Sequence, residues 1–339
     1  MSIMNLLMEK GKAVEGELVP YLPSKKPNEL YDLMREYPMR GGKRLRPAFC
    51  LLSCEAFEGN PKKALRTAAA LEAFQNWALI HDDIEDDSEM RRGKPCLHRL
   101  HGIPLAINAG DGLHVKMWEI LFDNRKLLGD ELTFRILDEF KKLCTETMEG
   151  QAIELNWISS RRFDLKEEDY FQMAGKKTSW YTIITPFRAG AIIAGADEKL
   201  LNHLVEFGMK LGIGFQIQDD LLNLVGEESK YGKEIAGDIA EGKRTLMLID
   251  MLNSCSRAER DRATKTLSKE RSAKSKDEMQ FMLDLMKKYG SIDQGKKKAK
   301  EFASESKRIL DNLISPYFRS SSAANSISQL VDFVINRDY

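Results

Sequence analysis

Leu65-Arg-Thr-Ala-Ala-Ala-Leu-Glu-Ala-Phe-Gln-Asn-Trp-Ala-Leu-Ile80 runs directly into His81-Asp-Asp-Ile-Glu-Asp-Asp-Ser-Glu89. The first stretch is apolar around nearly the whole helical turn, which predicts a helix buried on all sides. The second carries six acidic residues among the eight from Asp82 to Glu89. On a helix Asp82 and Asp86 share a face, as do Asp83 and Asp87. Like charges at that spacing oppose each other by about 0.2–0.5 kcal/mol per pair. A cation should offset them. Mg2+ suits carboxylate oxygens and commonly takes one or two protein carboxylates plus substrate phosphates. The plain alternative is a solvated acidic helix end. An EF-hand is disfavoured, because its glycine and closing glutamate are misplaced.

The rest of the chain supports a helical protein. Seven of the ten prolines lie at or before Pro95, and the stretches 105–185 and 187–315 contain none. Interior prolines break helices, so such stretches predict long ones. No βαβ rhythm, Asn-Gly hairpin signal or fixed repeat is present. No Pro- or Gly/Ser-rich linker divides the 339 residues, which read as one domain, 1–339. The expected fold class is all-α, a single domain of long helices.

Fifty-two basic side chains balance fifty-two acidic ones. That argues against a general nucleic-acid or anionic-membrane surface. Segment 256–300 is densely charged with both signs interspersed, which reads as a solvated helical face. The five cysteines form no CxxC pair, so a disulfide framework or zinc site is not expected, and a reducing cytoplasm fits. Neither a signal peptide nor an apolar run of about 18 residues is seen, so no membrane span is expected.

A second acidic pair follows a second apolar segment, Gly212-Ile-Gly-Phe-Gln-Ile-Gln-Asp-Asp-Leu-Leu-Asn-Leu224. Asp219 and Asp220 facing the first cluster across a bundle could clamp metal ions on one diphosphate. Basic elements are available to join them: Gly41-Gly-Lys-Arg-Leu-Arg-Pro47, Arg91-Arg-Gly93, Lys176-Lys-Thr178 and Tyr231-Gly-Lys-Glu-Ile-Ala-Gly-Asp-Ile-Ala-Glu-Gly-Lys-Arg-Thr245. Lys43, Arg44 and Arg46 can bind phosphate, arginine in bidentate fashion. The run is not a P-loop, since the GxxxxGK[ST] spacing is absent. Each basic element alone is weak, and only the combination is specific.

In that combination and order, the chain resembles the trans-isoprenyl diphosphate synthases, from about residue 38 to the ending Leu330-Val-Asp-Phe-Val-Ile-Asn-Arg337. The resemblance implies the isoprenoid synthase fold, a bundle of long, mostly antiparallel helices around a deep central cavity, and a Mg2+-dependent, head-to-tail (1′-4) condensation of isopentenyl diphosphate with an allylic diphosphate. It implies about three Mg2+ ions per site, with Mn2+ as a substitute. Asp82, Asp83 and Asp86 match the first aspartate-rich motif, with Asp82 and Asp86 as ligands; Asp219 and Asp220 match the second. Arg91, Lys177, Lys233 and Lys243 are implied for the allylic diphosphate. Lys43, Arg46, Gln75 and Arg92 are implied for isopentenyl diphosphate, with Gly42 allowing close approach. Thr178, Tyr181, Phe215 and Gln216 would flank the reacting carbons, with Gln151 and Glu154 as further polar pocket residues. Lys177, Thr178, Gln216 and Lys233 are the expected catalytic set. The second motif departs from the family at Asn223, where many relatives have aspartate, so weaker metal contact is expected there.

The family uses the helix before the first motif as its chain-length ruler. Trp77 lies five residues before Asp82, about 7.5 Å along the axis, and Phe74 about 12 Å. With Ala78 beside Trp77 instead of a second aromatic, geranylgeranyl diphosphate (C20) is the expected product; farnesyl diphosphate (C15) or a mixture is the alternative. A class I terpene cyclase lacks a purpose for GGKRLRP, and a non-catalytic synthase subunit usually loses an acidic motif. His81, His98, His101 and His114 are expected to be structural. A homodimer is implied, with helices around 105–125 as its interface.

Overall fold

Helix α4 (Pro61–Glu85) begins where Pro61 takes the first turn and the Asn60 side chain accepts the Lys62 N–H at 3.0 Å. Proline loses no hydrogen bond at that position, and the asparagine satisfies an orphan donor. From Thr67 to Asn76 every residue of α4 is buried. The helix therefore runs through the centre of the protein, as its all-round apolarity predicts.

The computed structural model describes residues 2–226 and 236–335. Around α4 stand α1 (Ile3–Leu18), α2 (Asn28–Met39), α3 (Leu45–Ala56), α5 (Leu97–His101), α6 (Ile103–Asp123), α7 (Arg125–Leu128), α8 (Asp130–Ser159), α9 (Glu167–Ala174), α10 (Thr185–Ile193) and α11 (Glu198–Val225). A π-helical segment, Gly175–Ile184, joins α9 to α10. After Ala236 come helices Gly237–Glu241, Leu246–Ser254, Arg257–Leu267, Lys276–Lys288, Ser291–Ile309 and Ser321–Ile335. The all-α expectation holds.

Cross-helix contacts give the directions. Thr67, Trp77 and His81 of α4 meet Asn124, His114 and Asp111, so α6 runs antiparallel to α4. Thr178 meets Gln216 and Ser179 meets Met209, so α11 runs antiparallel to the π-helical segment. Lys210 of α11 meets Glu305, and Gly214 lies against Ala299, so Ser291–Ile309 runs back along α11.

No hairpin signal is legible in the sequence, yet Met90–Arg91 pairs antiparallel with Lys94–Pro95. Its turn is Arg92-Gly93, both with positive φ, 54° and 72°. A glycine takes that conformation freely, whereas arginine adopts it rarely. Segment 256–300 forms helices closed by two capping boxes, Ser256 with Glu259 and Ser275 with Glu278. Lys276–Lys288 lays Met282, Leu285 and Met286 on the core.

Candidate active site

The acidic turn closes α4 at its C-terminus, where the helix dipole disfavours negative charge. Three cations of the chain offset it. Arg91, aimed by the ribbon, binds Asp83 through Nε at 2.9 and 3.0 Å and also through its Nη2. Lys177 Nζ lies 3.2 Å from Asp82 and 2.5 Å from Glu154. Lys243 Nζ lies 2.6 Å from Asp86 and 2.9 Å from Glu241. Burial opposes the charge on both lysines, but these carboxylates outweigh it and raise their pKa. Burial also pushes Asp86 up to about 7, against the pull of Lys243.

Lys177 and Thr178 reach this place from the π-helical segment. Such segments shift side chains off the regular helical register and recur at functional sites. Two glycines make room for it. A Cβ on Gly150 of α8 would lie 2.2 Å from the Lys177 nitrogen, and one on Gly212 of α11 would lie 2.4 Å from the Ser179 Cα. The segment is wedged between the two helices at the level of the acidic turn.

The second pair is held differently. Asp220 accepts the Tyr170 hydroxyl at 2.7 Å and Gln216 Nε2 at 2.8 Å. Thr178 in turn donates its hydroxyl to Gln216 Oε1 at 2.6 Å. Thr178, Gln216, Asp220 and Tyr170 therefore form one chain of hydrogen bonds. Burial raises Asp220 to about 7, with Gln216 and Tyr170 opposing the rise.

Both groups face one cavity of about 550 Å³. Asp82, Glu85, Asp219, Asp220 and Asp238 line it, as do Arg91, Lys177 and Lys243. Its apolar part reaches Trp77, Ala78, Leu79 and Leu155. Among the described residues no three acidic, His or Cys side chains converge on one point.

A family profile, polyprenyl synthetase, matches residues 27–286. The chain belongs to the polyprenyl synthetase family. It is a prenyltransferase. It is 34% identical to geranylgeranyl diphosphate synthase of Sulfolobus acidocaldarius over 309 residues, 91% of each chain. Its structure superposes on geranylgeranyl pyrophosphate synthetase of Pyrococcus horikoshii with a TM-score of 0.87 at 33% identity, covering 99% of this chain and 98% of that one. It also superposes on geranylgeranyl pyrophosphate synthase of Corynebacterium glutamicum, complexed with isoprenyl diphosphate and magnesium, with a TM-score of 0.88 at 25% identity, covering 99% of this chain and all of that one.

Arg46 and Arg92, expected from the sequence to bind the second diphosphate, belong to a further basic cluster. Arg46 donates to Thr182 Oγ1 at 2.8 Å and stacks over the Tyr181 ring at 4.3 Å. Its Nε and the Gln75 Oε1 are buried with no hydrogen-bond partner. Arg92 donates to the Tyr37 carbonyl at 2.8 Å and Asn76 Oδ1 at 3.2 Å, and burial lowers its pKa to about 10. A Cβ on Gly42 would sit 3.2 Å from the Arg92 guanidinium. Lys43 Nζ lies 5.4 Å from the Phe333 ring. Arg44 is turned inward to Glu72 and the Pro38 carbonyl, so it is a poor phosphate ligand.

Other expected site residues stand at varying distances behind the cavity wall. Asp83 does not line the cavity; it is fully buried and held by Arg91 and by the Tyr37 hydroxyl at 2.6 Å. Those three donor contacts fill a carboxylate that was grouped with the metal ligands. Asp86 is likewise off the cavity wall, reached through Lys243. Phe74 is fully buried behind Trp77, and Phe215 packs on the core outside the wall. Asn223 accepts the Asp238 N–H at 3.0 Å and so braces Gly237–Glu241 instead of facing a metal. Lys233 lies outside the described residues. Gln151 and Glu154 line the cavity as expected, Gln151 donating to Glu85 at 2.6 Å.

Sequence reasoning missed Glu241, which gathers Lys243, Arg271 and Ser88. Its place in Ala-Glu-Gly-Lys, two residues before Lys243, was the available signal. His114 lines the cavity while stacked on Trp77, with ring centroids 4.6 Å apart.

Proposed function

We propose that this enzyme condenses isopentenyl diphosphate head to tail with an allylic diphosphate, Mg2+-dependently, and ends at geranylgeranyl diphosphate. The observation that carries this reading is the cavity itself: Asp82, Asp219 and Asp220 with Lys177 and Lys243 at one end, aromatic and aliphatic side chains at the other. Asp82, Asp219 and Asp220 would hold about three Mg2+ ions on the allylic diphosphate. Bound there, Mg2+ would supply Lewis-acid stabilisation of the charge developing on the leaving diphosphate.

The remaining work falls to the chain's own side chains. Lys177, Lys243 and Arg91 meet the leaving oxygens with fixed positive charge in a poorly hydrated place, where such charge counts most. The Thr178 hydroxyl and Gln216 side chain, fixed by their hydrogen bond, lie where the allylic carbon becomes positive. Gly42, Lys43, Arg46, Gln75 and Arg92 would hold isopentenyl diphosphate, whose double bond attacks that carbon. The departing diphosphate would take the proton released in the condensation. Lys233 would add a further cation.

The C20 product follows from Trp77, which reaches the cavity about 7.5 Å before Asp82 on α4. A homodimer would cover the exposed apolar side chains Ile103, Ile107, Val115 and Phe122 of α6, with Phe134 and Met148 of α8. Exposed apolar patches of this kind mark protein interfaces. Among the described residues no helix is long and apolar enough to cross a membrane.

The test is incubation with isopentenyl diphosphate and dimethylallyl, geranyl or farnesyl diphosphate, with and without Mg2+, with products read by mass spectrometry. A Mg2+-dependent C20 product is expected. No elongation from any primer would overturn the reading.

A further inference from the structure

Lys243 lines the cavity, but the residue that holds it there does not. Helix Gly237–Glu241 stops at Gly242, whose φ of 78° turns the chain back on itself. The Lys243 N–H then donates to the Asp238 carbonyl at 2.9 Å. Glu241 and Lys243 flank this glycine, and their side chains meet, Nζ to Oε2, at 2.9 Å. The other carboxylate oxygen, Oε1, accepts Arg271 Nη1 at 2.9 Å and the Ser88 hydroxyl at 3.2 Å. Only 6% of the Glu241 side chain is exposed. It is a buried carboxylate with donors from three parts of the chain, one of them Ser88, two residues past Asp86. An ammonium has three N–H donors. On Lys243 one goes to Asp86 at 2.6 Å and a second to Glu241, while Asp238 stays 3.8 Å away. Two fixed donors determine where the third points. Arg271 offsets the Glu241 charge, so Glu241 orients the ammonium without adding net negative charge beside the acidic turn.

We propose that Glu241 is a positioning residue for the reaction: it holds Lys243 at the angle that turns its third N–H toward the leaving diphosphate. The inference rests on the elongation activity proposed above. Ser88–Glu241 and Asp86–Lys243 are two ties between residues 153 and 157 apart in the chain. Together they pin the Gly242 bend to the end of α4. Without the Glu241 charge, Lys243 keeps the Asp86 tie, and its ammonium pivots about that carboxylate. A displacement of about 1 Å at a group that meets the reacting atoms costs up to about 10²-fold in rate. Isopentenyl diphosphate would be held by the cluster of Arg46 and Arg92, so its binding should not depend on Glu241.

The experiment measures steady-state elongation by the full chain and its variants with Mg2+, varying farnesyl and isopentenyl diphosphates separately. Glu241→Gln should lower kcat/KM for the allylic diphosphate roughly 10–10²-fold and leave the isopentenyl KM within about twofold. Glu241→Asp keeps the charge on a shorter arm and should recover part of the loss. The decisive comparison is a double-mutant cycle with Lys243→Met. In that background Glu241→Gln should have no further effect, because the group it positions is gone. Should Glu241→Gln fold poorly, the same cycle with Glu241→Asp reads the same coupling with smaller factors. If the parent chain makes no elongated product, the function reading fails. If the parent elongates while the Glu241 variants match its kcat/KM, or lose the same factor with and without Lys243, the inference is overturned.

Discussion

The two Asp-Asp pairs look alike in sequence, each following an apolar helical segment, yet they meet opposite surroundings. Asp82 and Asp83 close a helix at its negative end and are met by Lys177 and Arg91. Asp220 sits within α11, where its partners are the neutral donors Tyr170 and Gln216. The first pair is balanced by fixed cations of the chain, whereas neutral donors orient Asp220 without cancelling its charge. The first pair is also split within itself: Asp82 faces the cavity, while Asp83 is spent on anchoring Arg91 and Tyr37. A repeated motif therefore need not mean a repeated job.

The largest effect should come from Asp82→Asn, with turnover falling roughly 10³-fold while the circular dichroism melt moves little. Steady-state rates would check it, and a loss under tenfold would erase the contrast with Asp83. Lys177→Met comes next, with turnover falling about 10²–10³-fold. It should also free Glu154, so a compensating Glu154→Gln would recover part of the folding stability and none of the rate. Asp83→Ala should show the reverse pattern: it strands the buried Arg91 charge and costs about 3–5 kcal/mol of stability, read by denaturant unfolding.

A pH series sharpens the comparison further. Burial raises both Asp86 and Asp220 to about 7 in the metal-free protein. A raised carboxyl pKa means that the native state holds its proton more tightly than the unfolded chain does. The stabilisation is present at low pH and is lost as pH climbs from about 4 through 7. With EDTA present, the melting temperature should fall over that range from these two groups. Added Mg2+ should remove most of the fall. The smallest effect is expected of Asn223→Asp, because aspartate accepts the Asp238 N–H as asparagine does. The hydrogen bond survives, but a buried carboxylate three and four residues from Asp220 and Asp219 should still cost about 1–3 kcal/mol of stability.

What could be read ahead of the structure follows the range of the interactions concerned. Proline spacing and apolar periodicity are local, and they gave the long helices and α4's central position. The order of the acidic and basic motifs brought Asp82, Lys177, Gln216, Asp220 and Lys243 to one cavity. The division of labour between Asp82 and Asp83 depends on which way each side chain leaves the last turn of α4, and adjacent aspartates in a sequence do not show that. The π-helical segment is invisible for the same reason: Gly150 and Gly212 matter through what they touch, 27 and 33 residues away from Lys177 and Ser179. Nor does the Arg92-Gly93 turn match the usual Asn-Gly hairpin signal. Nor is the stacking of His114 on Trp77 legible, because the two rings lie 37 residues apart on different helices.

The central claim is that adjacent aspartates at the end of α4 have separate jobs, Asp82 toward the metal and diphosphate, Asp83 toward the scaffold. The most direct test is a Mg2+ titration of turnover for Asp82→Asn and Asp83→Asn beside the parent chain. The account predicts that Asp82→Asn raises the half-saturating Mg2+ concentration sharply or abolishes saturation. It predicts that Asp83→Asn leaves that concentration near the parent value and lowers the melting temperature instead. Equal displacement of the Mg2+ curve by both variants would contradict it.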